Sequence, residues 1–383
     1  MKFFPTLLLA SCVLSSQAHF RTPTEPVTPI SNSPEMKQLV MDALDKMYNF
    51  EHEACVEKCK EIRKRLPSHP IFHMLMAMNI DWQWEPAVKD KVLLGKLHAH
   101  LNEAVKEANY ILYKENKNDA EALFIYFTAQ GFLARVSSFS GEWMRAVNYS
   151  LNAYQTVKQG FKLKEKFVDF YFSTGMYNYY RQRYPELQPV VKPFAGLLEP
   201  GNAELGIKQI RLAYKTSLFS KIESINYLVN IYFKYEGKPN EIMPELAEAV
   251  KKYPGNLFLQ HKYADGLLWT GKVDGVLAII SKLFKANNDY YDMAGFTFLA
   301  KLHLKAGKVD EALKAIQFAA NHNKRLPKTS ENIPGYIYQV YGQIYALKGN
   351  KAEAHKYYKL CEQHAEYPSL KREAKEWIKQ NLK

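Results

Sequence analysis

The residues from Gly266 to Val273 have the spacing of a phosphate-binding loop. Gly266, Gly271 and Lys272 match the glycines and the lysine of such a loop, but Val273 replaces the serine or threonine that would hold magnesium. A phosphate-binding loop also follows a strand, whereas the residues before Gly266 have a helical pattern. Two glycines in a helical turn explain this segment better, so the sequence predicts no nucleotide site here.

The other residue types that support catalysis or metal binding lack the spacing that this chemistry needs. The 11 histidines form no HExxH motif, and there is no GxSxG, CxxC or glycine-rich dinucleotide motif. His52 lies between two glutamates, and His98 lies two residues before His100, but residues this close in sequence point away from each other on a helix. The sequence therefore predicts a non-catalytic protein with no metal and no cofactor.

The densest group of side chains suited to binding lies between Tyr171 and Tyr184, where there are five tyrosines and two arginines. Tyrosine and arginine often anchor interfaces because each combines a large contact area with directional hydrogen bonds. We predict that the partner-binding residues are Tyr177, Tyr180, Arg181, Arg183 and Tyr184.

Two alternatives to this prediction stay open. The tyrosines would also suit a wide gap between helices, with the arginines at a helix C-terminus, where cations are favoured. The irregular region 165–218, which is rich in proline, would alternatively form the pocket of an envelope enzyme or a small-ligand-binding protein. Converging acids or histidines in a closed pocket would favour that second alternative.

Six segments share one pattern, a turn followed five residues later by a small or apolar residue. They are Asn49 to Ala54, Gly141 to Ala146, Gly237 to Ile242, Gly271 to Val276, Gly307 to Ala312 and Gly349 to Ala354. A glycine in such a turn accepts the positive φ that ends a helix, and small residues let two helices approach closely. No segment alternates as a strand would. The pattern predicts an all-α chain built of repeated helix pairs.

This pattern resembles the tetratricopeptide repeat, whose unit of about 34 residues is a pair of antiparallel helices. The residues that fall on the family's aromatic, Leu-Gly, tyrosine and alanine positions are Tyr338, Tyr341, Gly342, Tyr345 and Ala354. The resemblance implies an α-solenoid of stacked antiparallel helix pairs in a right-handed superhelical array. We expect a degenerate array in 35–218 and a regular array in 219–383 that ends in a capping helix.

Arrays of this family mainly hold peptides or proteins on an extended concave surface. The resemblance therefore implies a protein-protein interaction scaffold or adaptor with a protein or peptide partner. The chain is similar to exported repeat proteins of Gram-negative bacteria, which places the expected function in the cell envelope.

The first 18 residues have the composition of a secretory signal peptide. Lys2 precedes an apolar run that ends at Leu14, and the small residues before His19 predict cleavage after Ala18. Cys12 ends a segment that resembles a bacterial lipoprotein box, so lipidation of Cys12 is the minor alternative. Both outcomes export the protein to the periplasm or cell envelope, and lipidation would anchor it to the outer membrane. Residues 19–34 contain four prolines and predict a flexible leader.

The chain is basic, with 52 lysines and arginines, 39 acidic residues and a net charge of +13. The basic residues concentrate at 58–65, at 158–166 and at the C-terminus. Export and the lack of a nucleic-acid-binding module argue against a nucleic-acid partner. Most of these residues suit solvated helix faces. The remainder favour a weak, salt-sensitive contact with an anionic membrane or glycan surface.

Overall fold

The computed structural model describes residues 29–84, 90–187, 199–326 and 332–381. These residues are mostly helical and contain no β-strand, which confirms the predicted all-α class. The predicted signal peptide, Cys12 and residues 19–28 of the predicted leader lie outside the described residues. Among the described helices, none has both the length and the apolar character needed to cross a membrane.

The chain divides into two compact units, one ending at Ile225 and the other beginning at Asn226. This division lies close to the boundary predicted between residues 218 and 219. The described helices of the N-terminal unit are α1 (Pro34–Tyr48), α2 (His52–Arg65), α3 (Ile71–Trp84), α4 (Lys91–Tyr110), α5 (Ala120–Phe139), α6 (Trp143–Leu163), α7 (Phe170–Leu187), α8 (Ala203–Thr216) and α9 (Lys221–Asn230), which spans the division. Helices that are neighbours in sequence pack against each other, most extensively α5 on α6 and α7 on α8.

The C-terminal unit continues the same arrangement of neighbouring helices. Its described helices are α10 (Met243–Lys252), α11 (Leu257–Trp269), α12 (Val276–Lys285), α13 (Asp289–Lys305), α14 (Val309–Arg325), α15 (Ile333–Leu347), α16 (Lys351–His364) and α17 (Pro368–Asn381). Helices α11, α13 and α15 also contact one another and so form one layer. The intervening helices bury a single stripe, as α14 does with the stripe Ala312, Ala315, Ile316 and Ala319. A stripe at this spacing is the face that an amphipathic helix turns towards a core.

Four of the six predicted turns share one geometry, whereas at Gly237 the next amide, Lys238, donates to the Tyr232 carbonyl oxygen six residues earlier. Gly141, Gly271, Gly307 and Gly349 all have φ between 73° and 77°. In each turn the amide of the next residue donates to the carbonyl oxygen five residues earlier, at 2.8–2.9 Å. This hydrogen bond satisfies a carbonyl at the end of the first helix, as in a Schellman motif. The small or apolar residues five positions after these glycines are completely buried (Ala146, Val276, Ala312 and Ala354).

The first turn has the same geometry but lies one residue later than predicted. The residue with positive φ is Phe50, at 63°, and the Glu51 amide donates to the Lys46 carbonyl oxygen at 2.9 Å. The buried small residue that follows is therefore Cys55 rather than Ala54. The prediction was wrong in register because no glycine marks this turn.

Small residues also explain the close approach of helices within the pairs. A Cβ atom added at Gly342 of α15 would lie 2.9 Å from the Tyr358 ring of α16. One added at Gly295 of α13 would lie 2.7 Å from the Phe284 ring of α12. An aromatic ring thus fills the space that each missing side chain leaves, as expected for Gly342 from the sequence.

The described end of the predicted leader packs against the N-terminal unit. Ile30 is completely buried, and the backbone amides of Ile30 and Ser31 donate to the Glu121 carboxylate at 3.1 and 2.6 Å. Glu121 is itself buried. Residues 30 and 31 are therefore fixed in the fold, immediately before α1 begins at Pro34.

Candidate functional site

Helices α7 and α8 approach each other closely where each has a glycine. A Cβ atom added at Gly206 would lie 2.6 Å from the backbone nitrogen of Tyr179, and one at Gly175 would lie 2.9 Å from the carbonyl oxygen of Gly206. Across this contact the buried Asn178 amide donates to Gln209 Oε1 at 2.8 Å. Tyr179 is completely buried. Part of the tyrosine-rich segment therefore belongs to the core of the N-terminal unit.

Helix α7 also places Tyr177 against two aromatic rings of α6. The rings of Tyr177 and Tyr154 stack with their centroids 5.8 Å apart, and the Phe161 ring meets Tyr177 edge-on at 5.6 Å. The Tyr177 hydroxyl donates to the carbonyl oxygen of Glu199 at 2.6 Å. Burial raises the pKa of Tyr177, and the neighbouring Tyr154 raises it further. All three rings are half-buried, so this stack lies at the surface.

The other predicted partner-binding residues lie around this stack in different environments. Tyr180 and Arg181 are half-buried, and the Tyr180 ring meets that of Tyr179 edge-on at 5.1 Å. Arg183 forms an ion pair with Glu186 at 3.0 Å. Tyr184 belongs to α7, but its side chain lies outside what the structure describes. Of these five residues, Tyr177 is the one whose ring is seen against the described aromatic rings of α6.

Four lysines flank the aromatic stack on α6 and on the turn that follows it (Lys158, Lys162, Lys164 and Lys166). The Lys158 ammonium lies 5.2 Å from the centroid of Tyr154, and that of Lys164 lies 6.0 Å from the centroid of Phe161. These distances are typical of cation–π contacts. None of the four lysines forms an ion pair with a described residue.

We name these residues the α6–α7 surface, which comprises Tyr154, Phe161, Tyr177 and the lysines at 158, 162, 164 and 166. Sequence reasoning identified Tyr177 and the lysines separately but missed Tyr154 and Phe161. Their separation by two helical turns, which places both on one face of α6, is the pattern that would have found them. The surface combines aromatic edges with uncompensated positive charge.

The other basic cluster of the N-terminal unit, on α2, is compensated by acidic residues. Lys60 pairs with Glu57 at 2.7 Å, and the Arg63 guanidinium binds both oxygens of Glu107, at 2.6 and 3.1 Å. Lys58 and Arg65 pair with Glu61. An open groove of about 680 Å³ runs beside these residues. Its charges largely cancel, as expected for a solvated helix face.

A buried acid in region 165–218 has a structural role. The carboxylate of Asp169 accepts hydrogen bonds from the backbone amides of Leu218, Phe219 and Ser220, at 2.8–3.1 Å, and from the Ser220 hydroxyl at 2.9 Å. These four donors occupy both carboxylate oxygens and fix the start of α9. Asp169 therefore does not supply the converging acid that an enzyme pocket in this region would require.

A second carboxyl in the N-terminal unit has an unusual environment. Glu223 on α9 accepts hydrogen bonds from Trp82 Nε1 at 2.9 Å and from the Tyr48 hydroxyl at 3.3 Å. Arg135, the nearby base, is bonded to Asp81. Burial raises the pKa of Glu223 to about 7, and the charge of Asp81 also raises it, against the opposing effects of the Trp82 hydrogen bond and Arg135.

The C-terminal unit contains a comparable cluster around Asp265 of α11, which is 1% exposed. The Tyr367 hydroxyl donates to Asp265 Oδ2 at 3.3 Å, and the Tyr367 ring stacks on Trp269 at 5.3 Å. The Lys301 ammonium lies 3.2 Å from the centroid of the Tyr336 ring. Burial lowers the pKa of Lys301 to about 8, with Asp265 opposing that shift. Burial also raises the pKa of Asp265 itself, with Lys301 opposing.

The segment before α17 contains Tyr367 and is fixed in place beside this cluster. Asn332 Oδ1 accepts hydrogen bonds from the amides of Glu366 and Tyr367 at 2.9 and 3.0 Å. Glu366 pairs with Lys234 at 2.9 Å, and Tyr367 meets the ring of Phe233 at 6.4 Å. Residues more than 130 positions apart are thereby joined. Aromatic and charged side chains of the unit itself fill this interior.

Two histidines that looked unrelated in sequence meet between α3 and α4. Nδ1 of His73 and Nδ1 of His100 are 2.9 Å apart, and Arg63 lies 3.3 Å from Nε2 of His73. Arginine only donates, so Nε2 of His73 accepts and its Nδ1 hydrogen is directed to His100. Burial lowers the pKa of both imidazoles. Arg63, His73 and His100 therefore form a hydrogen-bonded chain. The positive charge of the guanidinium disfavours a further cation at these two imidazoles.

One group of side chains has the geometry of a metal site within the described residues. Ligand atoms of Asp289, Asp292 and His322 lie within 4.8 Å of one another. His322 Nδ1 already contacts Asp289 at 2.6 Å, and Arg325 lies 3.3 Å from the same oxygen. Both aspartates are in the first turn of α13, where the helix dipole favours anions over cations. These contacts satisfy Asp289 as a helix-start anion, and the group is better explained as an ion-pair cluster.

No protein-family model matches the chain, and a comparison with curated proteins finds no significant relative.

Proposed function

We propose that the protein is a non-catalytic scaffold or adaptor that binds a protein or peptide through the α6–α7 surface. The observation that supports this most is the stack of Tyr154, Tyr177 and Phe161, half-exposed and bordered by four lysines that form no ion pair with a described residue. Aromatic rings with adjacent cations supply both contact area and orientation to a partner. The acidic groups nearest in sequence have structural contacts, so binding explains this surface better than catalysis.

The finer architecture that we propose is a tetratricopeptide-like α-solenoid of stacked antiparallel helix pairs. Four glycine turns with the same φ and the same hydrogen bond, each followed by a buried residue at the same offset, support it. We keep export to the cell envelope of a Gram-negative bacterium as part of the proposal. It is based on the apolar N-terminal segment and the cleavage pattern at Ala18.

Affinity capture from the source cells tests this function with two matched tyrosine variants. Tyr177→Ser removes the central ring of the stack, and Tyr113→Ser removes a tyrosine that is 74% exposed in the π-helical segment Ile111–Glu115. We expect the tagged wild-type chain and Tyr113→Ser to recover the same stoichiometric protein. Tyr177→Ser should lose that protein while keeping the circular dichroism spectrum of the folded chain at the temperature of the capture.

Recovery of one protein by all three chains would show that the partner binds elsewhere. Recovery of no stoichiometric protein from either envelope or soluble fractions would contradict the scaffold proposal itself. Repeating the capture at high salt separates a stacked, apolar contact, which persists, from long-range attraction alone, which is screened.

A further inference from the structure

The α6–α7 surface has a local excess of positive charge that no part of its own helices neutralises. Residues 143–187 contain seven lysines and arginines and only three acidic residues. Asp169 is buried and saturated by the start of α9, Glu186 is paired with Arg183, and Glu165 is hydrogen-bonded by Tyr171. The four lysines at 158, 162, 164 and 166 therefore remain available to an anionic ligand.

Each aromatic ring on this surface already has a neighbouring ring or a lysine against one of its faces. The stacked Tyr177 ring occupies one face of Tyr154, and Lys158 lies over the same Tyr154 ring. Phe161 points its ring against Tyr177 and has Lys164 above it. Nucleic-acid bases need open ring faces to stack on, and a bilayer needs apolar side chains that project outwards. Half-buried rings with covered faces suit neither and leave their edges to a peptide.

We infer that the α6–α7 surface binds an acidic, extended segment of a partner protein, with carboxylates on the lysines and a central apolar side chain against the ring edges. This inference rests on the proposed function and adds the chemistry of the partner. Lys158 and Lys162 are one helical turn apart, which places their Cβ atoms about 6 Å from each other. Alternate residues of an extended chain are about 6.5 Å apart, so acids at every second position match this spacing.

The ion pair on α2 explains why we expect the acidic segment to bind α6 instead. Lys60 and Lys64 are also one turn apart and exposed, but Lys60 is paired with Glu57. Binding there would first have to break that ion pair. Lys158 and Lys162 instead repel each other in the free chain, a repulsion that a bound carboxylate relieves.

Fluorescence anisotropy with short labelled peptides tests the inference on the full chain. The probe has glutamate at alternate positions around a central phenylalanine, and its control has glutamine in place of every glutamate. We expect the acidic probe to bind, and the glutamine control and the Lys158→Ala/Lys162→Ala variant to bind about tenfold more weakly. The matched variant Lys60→Ala/Lys64→Ala should bind the acidic probe as the wild type does.

Each other outcome overturns the acidic-segment inference in an identifiable way. Equal binding of the glutamine control shows that the partner is not acidic, and equal loss in both lysine variants shows unspecific attraction. Tighter, Lys158-dependent binding of a single-stranded oligonucleotide or of phosphatidylserine-containing vesicles identifies a different anion. No binding of any peptide overturns the inference alone, because the proposed function fails only if the Tyr177-dependent capture fails as well.

Discussion

The two units each enclose a carboxyl group with similar neighbours but opposite electrostatic balance. Glu223 in the N-terminal unit and Asp265 in the C-terminal unit each accept a hydrogen bond from a tyrosine hydroxyl at 3.3 Å. In each unit that tyrosine also contacts a tryptophan ring, at 5.5 Å for Tyr48 and 5.3 Å for Tyr367. The difference between the clusters lies in the base beside each carboxyl.

In the N-terminal unit the base near Glu223 is Arg135, which already has an acidic partner. Arg135 is bonded to Asp81, so Glu223 faces a second acid, and its pKa rises to about 7 because of burial and that charge. In the C-terminal unit Lys301 lies over Tyr336, and Asp265 is the acid that acts on it most strongly. Lys301 and Lys262 both lower the pKa of Asp265, whereas Arg135, the base that lowers the pKa of Glu223, is bonded to a second acid.

Glu223 and Lys301 have opposite pH dependence. The folded chain holds the Glu223 proton more tightly than the unfolded chain, so this group's contribution to stability falls as pH rises from about 4.5 to about 7. The folded chain holds the Lys301 proton less tightly, because its pKa falls from 10.5 to about 8. Its contribution therefore rises between those two pH values. Glu223 therefore favours acid conditions, and Lys301 favours alkaline conditions.

The largest expected effect comes from removing the carboxylate of the balanced cluster. Asp265→Ala removes the acid that acts most strongly on the Lys301 cation and the carboxylate that accepts from the Tyr367 hydroxyl. We expect the free energy of unfolding to fall by about 3 kcal/mol, as when one member of a buried charge pair is removed. Urea unfolding followed by tryptophan fluorescence measures this, since Trp269 stacks on Tyr367.

Two further variants give this prediction a control. Asp310→Ala removes an exposed acid that pairs with Lys348, and it should leave the free energy of unfolding almost unchanged because the pair is screened by solvent. Adding Lys301→Met to Asp265→Ala removes the uncompensated cation and should restore part of the lost stability. Strictly additive losses in the double variant would show that Asp265 and Lys301 do not act as a pair.

A smaller effect is expected at Glu223, and it depends on pH. Glu223→Gln keeps an acceptor oxygen for Trp82 and Tyr48 but has no proton to lose. The stability of the variant minus that of the wild type should increase by about 2.5 kcal/mol between pH 4.5 and 7 and become constant near pH 8. Other titrating groups cancel in this difference. Parallel stability curves for the two chains would contradict the raised pKa of Glu223.

The sequence predicted the helix pairs because the residues that mark the helix ends are close together in the sequence. Glycines at Gly271, Gly307 and Gly349 show where a helix ends, and a buried residue at a fixed offset shows where the next one begins. The same method misplaced the first turn by one residue, since Phe50 replaces the glycine. Local signals of this kind predict the types of the elements. They fail where a residue other than glycine adopts the left-handed conformation of the turn, as Phe50 does.

The candidate sites were harder to predict because their parts come from distant positions. Glu223 meets Tyr48 across 175 residues, and Tyr367 meets Asp265 across 102. In the sequence these residues look like ordinary polar positions on helices, with no spacing that links them. Tyr177 was predicted from local density alone, whereas its neighbour Tyr154 required knowledge of which helix packs beside α7.

The smallest expected effect concerns two turns of the same type, at Phe50 in the N-terminal unit and at Gly307 in the C-terminal unit. Gly307 has φ of 73° with open space around its missing side chain, so Gly307→Ala should lower the free energy of unfolding by about 1 kcal/mol from backbone strain alone.

Phe50 has φ of 63°, and its ring contacts Trp82 at 6.1 Å. Phe50→Ala and Phe50→Gly both lose that ring, but only alanine keeps a Cβ atom in the left-handed conformation. Phe50→Gly should therefore be more stable than Phe50→Ala by about the same 1 kcal/mol, the reverse of the usual order. Thermal and urea unfolding of the three variants measure both differences, and an alanine variant at residue 50 as stable as the glycine variant would show that the turns are not equivalent.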